Sequence, residues 1–213
     1  IRKTKLVLIV PEDIPLDFQF THHQFCATLS SCGKFAASCM DLTVNVWNME
    51  THECMTLEGH TGWVYCVNYS PCGKFVASGA SDGKIIISNW QTQESILLEG
   101  HTGSVYCINF SPCGNFVASG SDDHQVKVWN LETQECMTLE GHAGWLRCVE
   151  YSPCGKFVAS GGNDGKIKVW NLKTQECMTL EGHTDFVGCM AYSPCGKFVA
   201  SGGFDNKVKV WNM

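Results

Sequence analysis

Ser160, His142 and Asp164 are the residue types of a nucleophilic hydrolase: a hydroxyl, an imidazole to take its proton and a carboxylate to orient the ring. The same three types recur as His60, Ser78 and Asp82, as His101, Ser119 and Asp123, and as His183, Ser201 and Asp205. Catalysis requires one preorganised constellation, and four equivalent copies argue for architecture instead. The chain is therefore expected not to be an enzyme, with no catalytic residue and no cofactor.

Cysteine is the second chemical candidate, with fourteen in 213 residues. Cys26, Cys66, Cys107, Cys148 and Cys189 share one recurring position, Cys32, Cys72, Cys113, Cys154 and Cys195 a second, and Cys54, Cys136 and Cys177 a third. Equivalent positions on successive units lie too far apart for disulfides. Cys66 and Cys72 are six residues apart, as are Cys148 and Cys154, which is not a zinc-ligand spacing, so no metal site is expected. Reduced thiols point to a cytosolic setting, or a nuclear one. The net charge is −6 and the arginines are Arg2 and Arg147 alone, so there is no basic footprint for nucleic acid or an anionic membrane. No stretch is apolar enough for a membrane span, and the run Leu6 to Val10 is too short for a signal peptide.

Both residue series follow one repeat. The Gly-His pair stands at Gly59-His60, Gly100-His101, Gly141-His142 and Gly182-His183, a spacing of 41 residues. An eroded fifth copy precedes them, with Cys26, Cys32, Phe35, Ser38, Asp41 and Trp47 at matching places. In the unit around Leu139 to Asn171, turn residues divide the chain into short β-prone runs: Glu135 to Leu139, Trp145 to Tyr151, Phe157 to Ser160 and Lys166 to Asn171. Ser152-Pro153-Cys154-Gly155 and Asn163-Asp164-Gly165 supply the turns. No segment holds a helical period, and each unit is expected to form a small four-stranded antiparallel sheet.

These residues carry a resemblance to the WD-repeat family of β-propellers over roughly residues 20 to 213. Two departures stand out. The ending is Trp-Asn at Trp47, Trp129, Trp170 and Trp211, with Ser88 replacing tryptophan in one unit and Trp90 two residues on, where it could compensate in part. The turn is Pro-Cys-Gly, where the family has Pro-Asp-Gly. The resemblance implies an all-β domain over 1–213, with units at about 16–53, 54–94, 95–135, 136–176 and 177–213. It also implies that histidine, aspartate, serine and tryptophan form a hydrogen-bonded frame in each blade. The sets are His60, Ser78, Asp82; His101, Ser119, Asp123, Trp129; His142, Ser160, Asp164, Trp170; and His183, Ser201, Asp205, Trp211. Phe20 replaces the histidine in the first copy, which should weaken that blade.

Propellers close by joining both chain ends in one blade. Residues 5–10 are β-prone and unpartnered, and are expected to form the outer strand of the last blade, giving five blades. The alternative is an excerpt of a larger ring, or a partial ring completed by self-association. A start at Ile1 rather than methionine suits an excerpt.

The copies differ in two places, just after Gly-His and just before the repeated aspartate, where Met40, Ser81, Asp122, Asn163 and Phe204 stand. By the resemblance both lie on the face of the Gly-His loops, around the central channel. The variable set Trp63, Tyr65, Tyr106, Trp145, Arg147, Phe186 and Phe204 has the composition of an interface hot spot. The expected function is a scaffold that presents this aromatic face to a peptide or protein partner. The alternative is a reader of a cationic, methyl-lysine-like side chain, helped by Asp122 or Asp185.

Overall fold

The computed structural model describes residues 26–213. They form five antiparallel sheets and no helix. The first sheet holds β1 (Ala27–Leu29), β2 (Phe35–Met40), β3 (Thr43–Asn48) and β4 (Cys54–Leu57). The second holds β5 (Val64–Tyr69), β6 (Phe75–Ala80), β7 (Ile85–Asn89) and β8 (Ser95–Leu98). The third holds β9 (Val105–Phe110), β10 (Phe116–Ser121), β11 (Val126–Asn130) and β12 (Cys136–Leu139). The fourth holds β13 (Leu146–Tyr151), β14 (Phe157–Gly162), β15 (Ile167–Asn171) and β16 (Cys177–Leu180). The fifth, among the described residues, has three strands: β17 (Val187–Tyr192), β18 (Phe198–Gly203) and β19 (Val208–Asn212).

The strand pairing differs from the expectation of one sheet per unit. The run Cys136–Leu139, which opens a sequence unit, pairs with β11 as the outer strand of the preceding sheet. The Gly-His loop then carries the chain from the outer edge of one sheet to the inner edge of the next. Its glycine makes that crossing in a conformation open to few other residues, with φ of +138° at Gly59 and +147° at Gly141. Each sheet is thereby held by its neighbour's backbone as well as by packing.

The apolar face of one sheet meets the next at four junctions. At the second junction Ala77, Ile85, Ile87 and Leu98 pack on Val105, Ile108, Phe110 and Val117. At the third, Ala118, Val126 and Leu139 meet Leu146, Val149, Tyr151 and Val158. Burying one such side chain contributes about 1.5–3 kcal/mol. Each junction therefore outweighs any single hydrogen bond in the sheets it joins. Close approach depends on small residues. A Cβ built on Gly120 would lie 2.6 Å from the Leu146 Cβ, and one on Gly161 2.8 Å from Val187 Cγ1. The first cysteine series occupies the same seam: Cys66, Cys107 and Cys148 are buried, and the Cys66 and Cys148 thiols donate across it to the carbonyls of Val105 and Val187.

The face of the fifth sheet turned away from the fourth has no such partner among the described residues. Val208 is 78% and Val210 67% exposed, although their counterparts Ile167 and Val169 are buried. Residues 5–10, the expected closing strand, and Phe20 lie outside the described residues. No helix among the described residues is long and apolar enough to cross a membrane.

Gly120→Val should destabilise the protein by about 1–3 kcal/mol through overpacking. Gly202→Val, where the nearest atom is the Cys189 sulfur alone, should cost clearly less. Urea unfolding of the two variants checks the order.

Candidate functional site

Each complete Ser-His-Asp set is brought together between the second strand of its sheet and two loops. In the third sheet, Trp129 Nε1 lies 2.9 Å from Ser119 Oγ, Ser119 Oγ 2.8 Å from His101 Nε2, and His101 Nδ1 2.7 Å from Asp123. The fourth sheet repeats this with Trp170, Ser160, His142 and Asp164 at 2.8, 2.8 and 2.7 Å. In the fifth, Trp211, Ser201, His183 and Asp205 are at 2.9, 2.8 and 3.0 Å. An indole can only donate and a carboxylate only accept, so the chain has one direction. With the imidazole neutral, the indole N–H donates to the serine oxygen, the serine O–H to Nε2, and Nδ1–H to the carboxylate. The carboxylate also caps the loops, accepting the amides of Thr102 and Gln125 at Asp123, and of Ala143 and Lys166 at Asp164.

The distances are those of a hydrolase triad, but the serines are sealed. Ser119 and Ser160 are 0% exposed, and the serine oxygen already accepts the indole proton. No acyl group can reach such an oxygen.

The second sheet lacks the indole, and its set is looser, with His60 Nδ1 3.3 Å from both Asp82 oxygens. Trp90 does not compensate. Its indole N–H donates to Gly73 O at the far end of the sheet, and its ring packs on Phe35 at 4.4 Å.

The variable aromatic residues are placed by a different device. In the second, third and fourth sheets the pairing of the inner strand with its neighbour slips by one residue, between Val64 and Cys66, between Val105 and Cys107 opposite Gly120 and Ser121, and between Leu146 and Cys148. The bulged residues are therefore Tyr65, Tyr106 and Arg147. A bulge turns its side chain out of the regular alternation, and here it turns three successive side chains into one row. The Tyr65 and Tyr106 rings stack at 4.9 Å and 15°, and Tyr106 and Trp145 at 6.0 Å and 17°. The Arg147 guanidinium carbon lies 5.4 Å from the centre of the Tyr106 ring and 5.7 Å from that of Trp145. Its Nε donates to Asn163 Oδ1 at 2.8 Å. Phe186 and Phe204 form a separate pair at 5.9 Å, with Phe204 lying over the bulged Gly188. Trp63 is 57% exposed.

Sequence reasoning missed Glu150 on the inner strand β13. Its carboxyl accepts from Asn109 Nδ2 at 3.1 Å, joining two neighbouring inner strands, while Asn109 Oδ1 accepts the Tyr151 amide. Burial pushes this carboxyl up to about 7, against the pull of the Asn109 hydrogen bond. The signal was there: Asn68, Asn109, Glu150 and Ala191 vary at one repeat position. The hydroxyls of Tyr69, Tyr151 and Tyr192 are buried with no hydrogen-bond partner among the described residues. No group of metal-ligating side chains occurs among them.

Ser160→Ala should cost about 2–4 kcal/mol, because two buried groups, the Trp170 indole and His142 Nε2, lose their partner at once. Ser78→Ala orphans the imidazole alone and should cost about half as much. Chemical denaturation of the two variants reads the difference.

Stability should also fall at both ends of the pH scale. At Asp123 and Asp164 burial opposes ionisation, but hydrogen bonds from His101 and His142 and from backbone amides prevail and hold both carboxyls at about 2, against an ordinary 3.8. Their contribution is complete above about pH 4 and is lost as the pH falls through 2. Glu150 runs the other way: its contribution is complete below its ordinary 4.5 and is lost as the pH rises through 7. Glu150→Gln should therefore remove the decline on that side and leave the protein more stable at pH 8, by roughly 1–3 kcal/mol after solvent screening. Thermal melts across pH 2 to 8 measure both limbs.

Comparison with known proteins agrees with this geometry. The family described as "WD domain, G-beta repeat" matches at residues 16–48, 52–88, 92–130, 133–171 and 174–212. The Lissencephaly-1 homolog of Dictyostelium discoideum is 39% identical over 51 residues, covering 24% of this chain and 12% of that protein. Apoptotic protease-activating factor 1 of Danio rerio is 35% identical over 66 residues, 29% of this chain and 5% of its own length. Mitogen-activated protein kinase kinase kinase A of Dictyostelium discoideum is 39% identical over 56 residues, 24% of this chain and 6% of its own length. The chain thus spans a small part of each relative. Such repeats indicate a protein-protein interaction scaffold. Five matched repeats, five sheets and the recurring indole-serine-imidazole-carboxylate chain place this protein in the WD40 repeat family.

Proposed function

We propose that this protein is a non-enzymatic scaffold whose Gly-His face binds a protein or peptide partner through the row Tyr65, Tyr106, Trp145 and Arg147. The bulged inner strands carry this reading, because they gather side chains that differ between repeats onto one surface. Trp63, Phe186 and Phe204 extend the same face as exposed apolar anchors. Aromatic and arginine side chains held by packing bind with little further loss of freedom.

The partner that best fits the row offers an apolar anchor beside a carboxylate. Arg147 already fills the cation position against Tyr106 and Trp145, which weighs against capture of a methylated lysine there. With Nε held by Asn163, the guanidinium has its terminal nitrogens without a hydrogen-bond partner among the described residues, in place for a bidentate carboxylate. Fourteen unpaired thiols suit a reducing compartment, the cytosol or the nucleus.

Trp145→Ala and Arg147→Ala should each weaken binding of the best peptide from a displayed library by tenfold or more, about 1.4 kcal/mol. The urea midpoint should move little in either variant. A loss of stability equal to the loss of binding would mean that the row is core, and a library that selects methyl-lysine peptides would restore the alternative.

A further inference from the structure

The second cysteine series lies at the opposite end of the inner hairpins from the partner face and plays no part in that reading. Cys32, Cys72, Cys113, Cys154 and Cys195 are all exposed. Each sits at the third place of a Ser-Pro-Cys-Gly or Ser-Ser-Cys-Gly turn whose glycine has φ between +70° and +78°. The turns form a row: a Cβ built on Gly114 would lie 3.8 Å from Pro71 of the preceding turn, one on Gly155 3.7 Å from Pro112, and one on Gly196 3.7 Å from Pro153.

In each turn the thiol is 3.3 to 3.4 Å from the hydroxyl of the serine two residues before it. That serine oxygen accepts the amide of a phenylalanine at 3.0 to 3.1 Å, as Ser70 accepts Phe75 and Ser152 accepts Phe157. With its oxygen held as an acceptor by the backbone, the hydroxyl has its proton to give to sulfur. A thiolate is the stronger acceptor, so the turn favours the nucleophilic form.

We propose that these five turn thiols are sites of reversible S-thiolation by low-molecular-weight disulfides such as glutathione disulfide. The thiolate attacks one sulfur of the glutathione disulfide, the new protein–glutathione S–S bond forms as the old one breaks, and glutathione thiolate leaves and takes up a proton from water. The disulfide is the oxidant, and a reducing thiol reverses the step.

The chain contains its own control. Cys54, Cys136 and Cys177 are also exposed, but they sit on outer strands without the serine. Serine hydrogen bonds hold the thiols of Cys32, Cys113, Cys154 and Cys195 below their ordinary value. At Cys72 slight burial opposes the Ser70 bond and nearby amides, which prevail. Burial pushes Cys54 and Cys136 the other way. Each unit of lowering raises the thiolate fraction tenfold and lowers its intrinsic reactivity about threefold, a net gain of about threefold.

The reduced chain is treated with glutathione disulfide at pH 7, quenched before completion and mapped by peptide mass spectrometry. The turn cysteines should be modified faster than Cys54, Cys136 and Cys177, by about threefold for each factor of ten in thiolate fraction. In urea the two series should converge. Ser152→Ala should slow Cys154 alone, and Ser152→Thr, which keeps the hydroxyl, should restore it. Equal rates in the folded chain, a bias that survives in urea, or a Cys154 rate unmoved in Ser152→Ala would each overturn the proposal.

Discussion

A serine hydroxyl has one proton to give, and the frame of this protein depends on where it goes. In the third and fourth sheets it goes to the neutral imidazole, whose Nδ1–H is committed to the carboxylate and whose Nε2 is left to accept, while the indole donates to the serine oxygen from the other side. The proton order of the whole chain follows, ending on a carboxylate that gathers the amides of two loops. The second sheet shows the effect of omitting one member. With Ser88 where the indole should be, the imidazole and carboxylate remain in place but stand further apart. The same three residue types that would be chemistry in an open cleft are here a tie between strand and loops. Burial of the serine, and not the triad distances, makes the difference.

On that frame the molecule presents two surfaces built by different rules. At one end of the inner hairpins of the second to fifth sheets a bulge turns out residues that differ from sheet to sheet, so that neighbouring tyrosines, a tryptophan and an arginine meet. At the other end a turn repeats the same serine and cysteine five times. Variation suits recognition of one partner. Repetition suits a response shared by equivalent groups.

Much of the frame could be read from spacing. His142, Ser160, Asp164 and Trp170 recur at fixed intervals, and a period of 41 residues broken by glycine and proline leaves little room for anything but short strands. What spacing could not show is where the backbone departs from a regular ladder. A run such as Cys136–Leu139 looks the same whether it pairs within its own unit or with the preceding one. The row at Tyr106 and Arg147 depends on a one-residue slip that leaves no mark in residue types. Trp90 was close in sequence to the vacant indole position but points to the other end of its sheet. Glu150 is marked in the sequence only by its departure from Asn68 and Asn109 at the same repeat position, and its burial beside Asn109 gives that departure its consequence.

The borrowed outer strand has a consequence for how such a chain can lengthen or shorten over time. Because each of the first four sheets is finished by the first strand of the following copy, a duplication or deletion of one whole copy, cut anywhere within the period, regenerates the same junction on both sides. No compensating change is needed at the seam. A gain or loss out of phase would leave one sheet short of an edge and another with a surplus strand. The fold thus filters inheritance by length, tolerating changes in copy number while rejecting changes in phase.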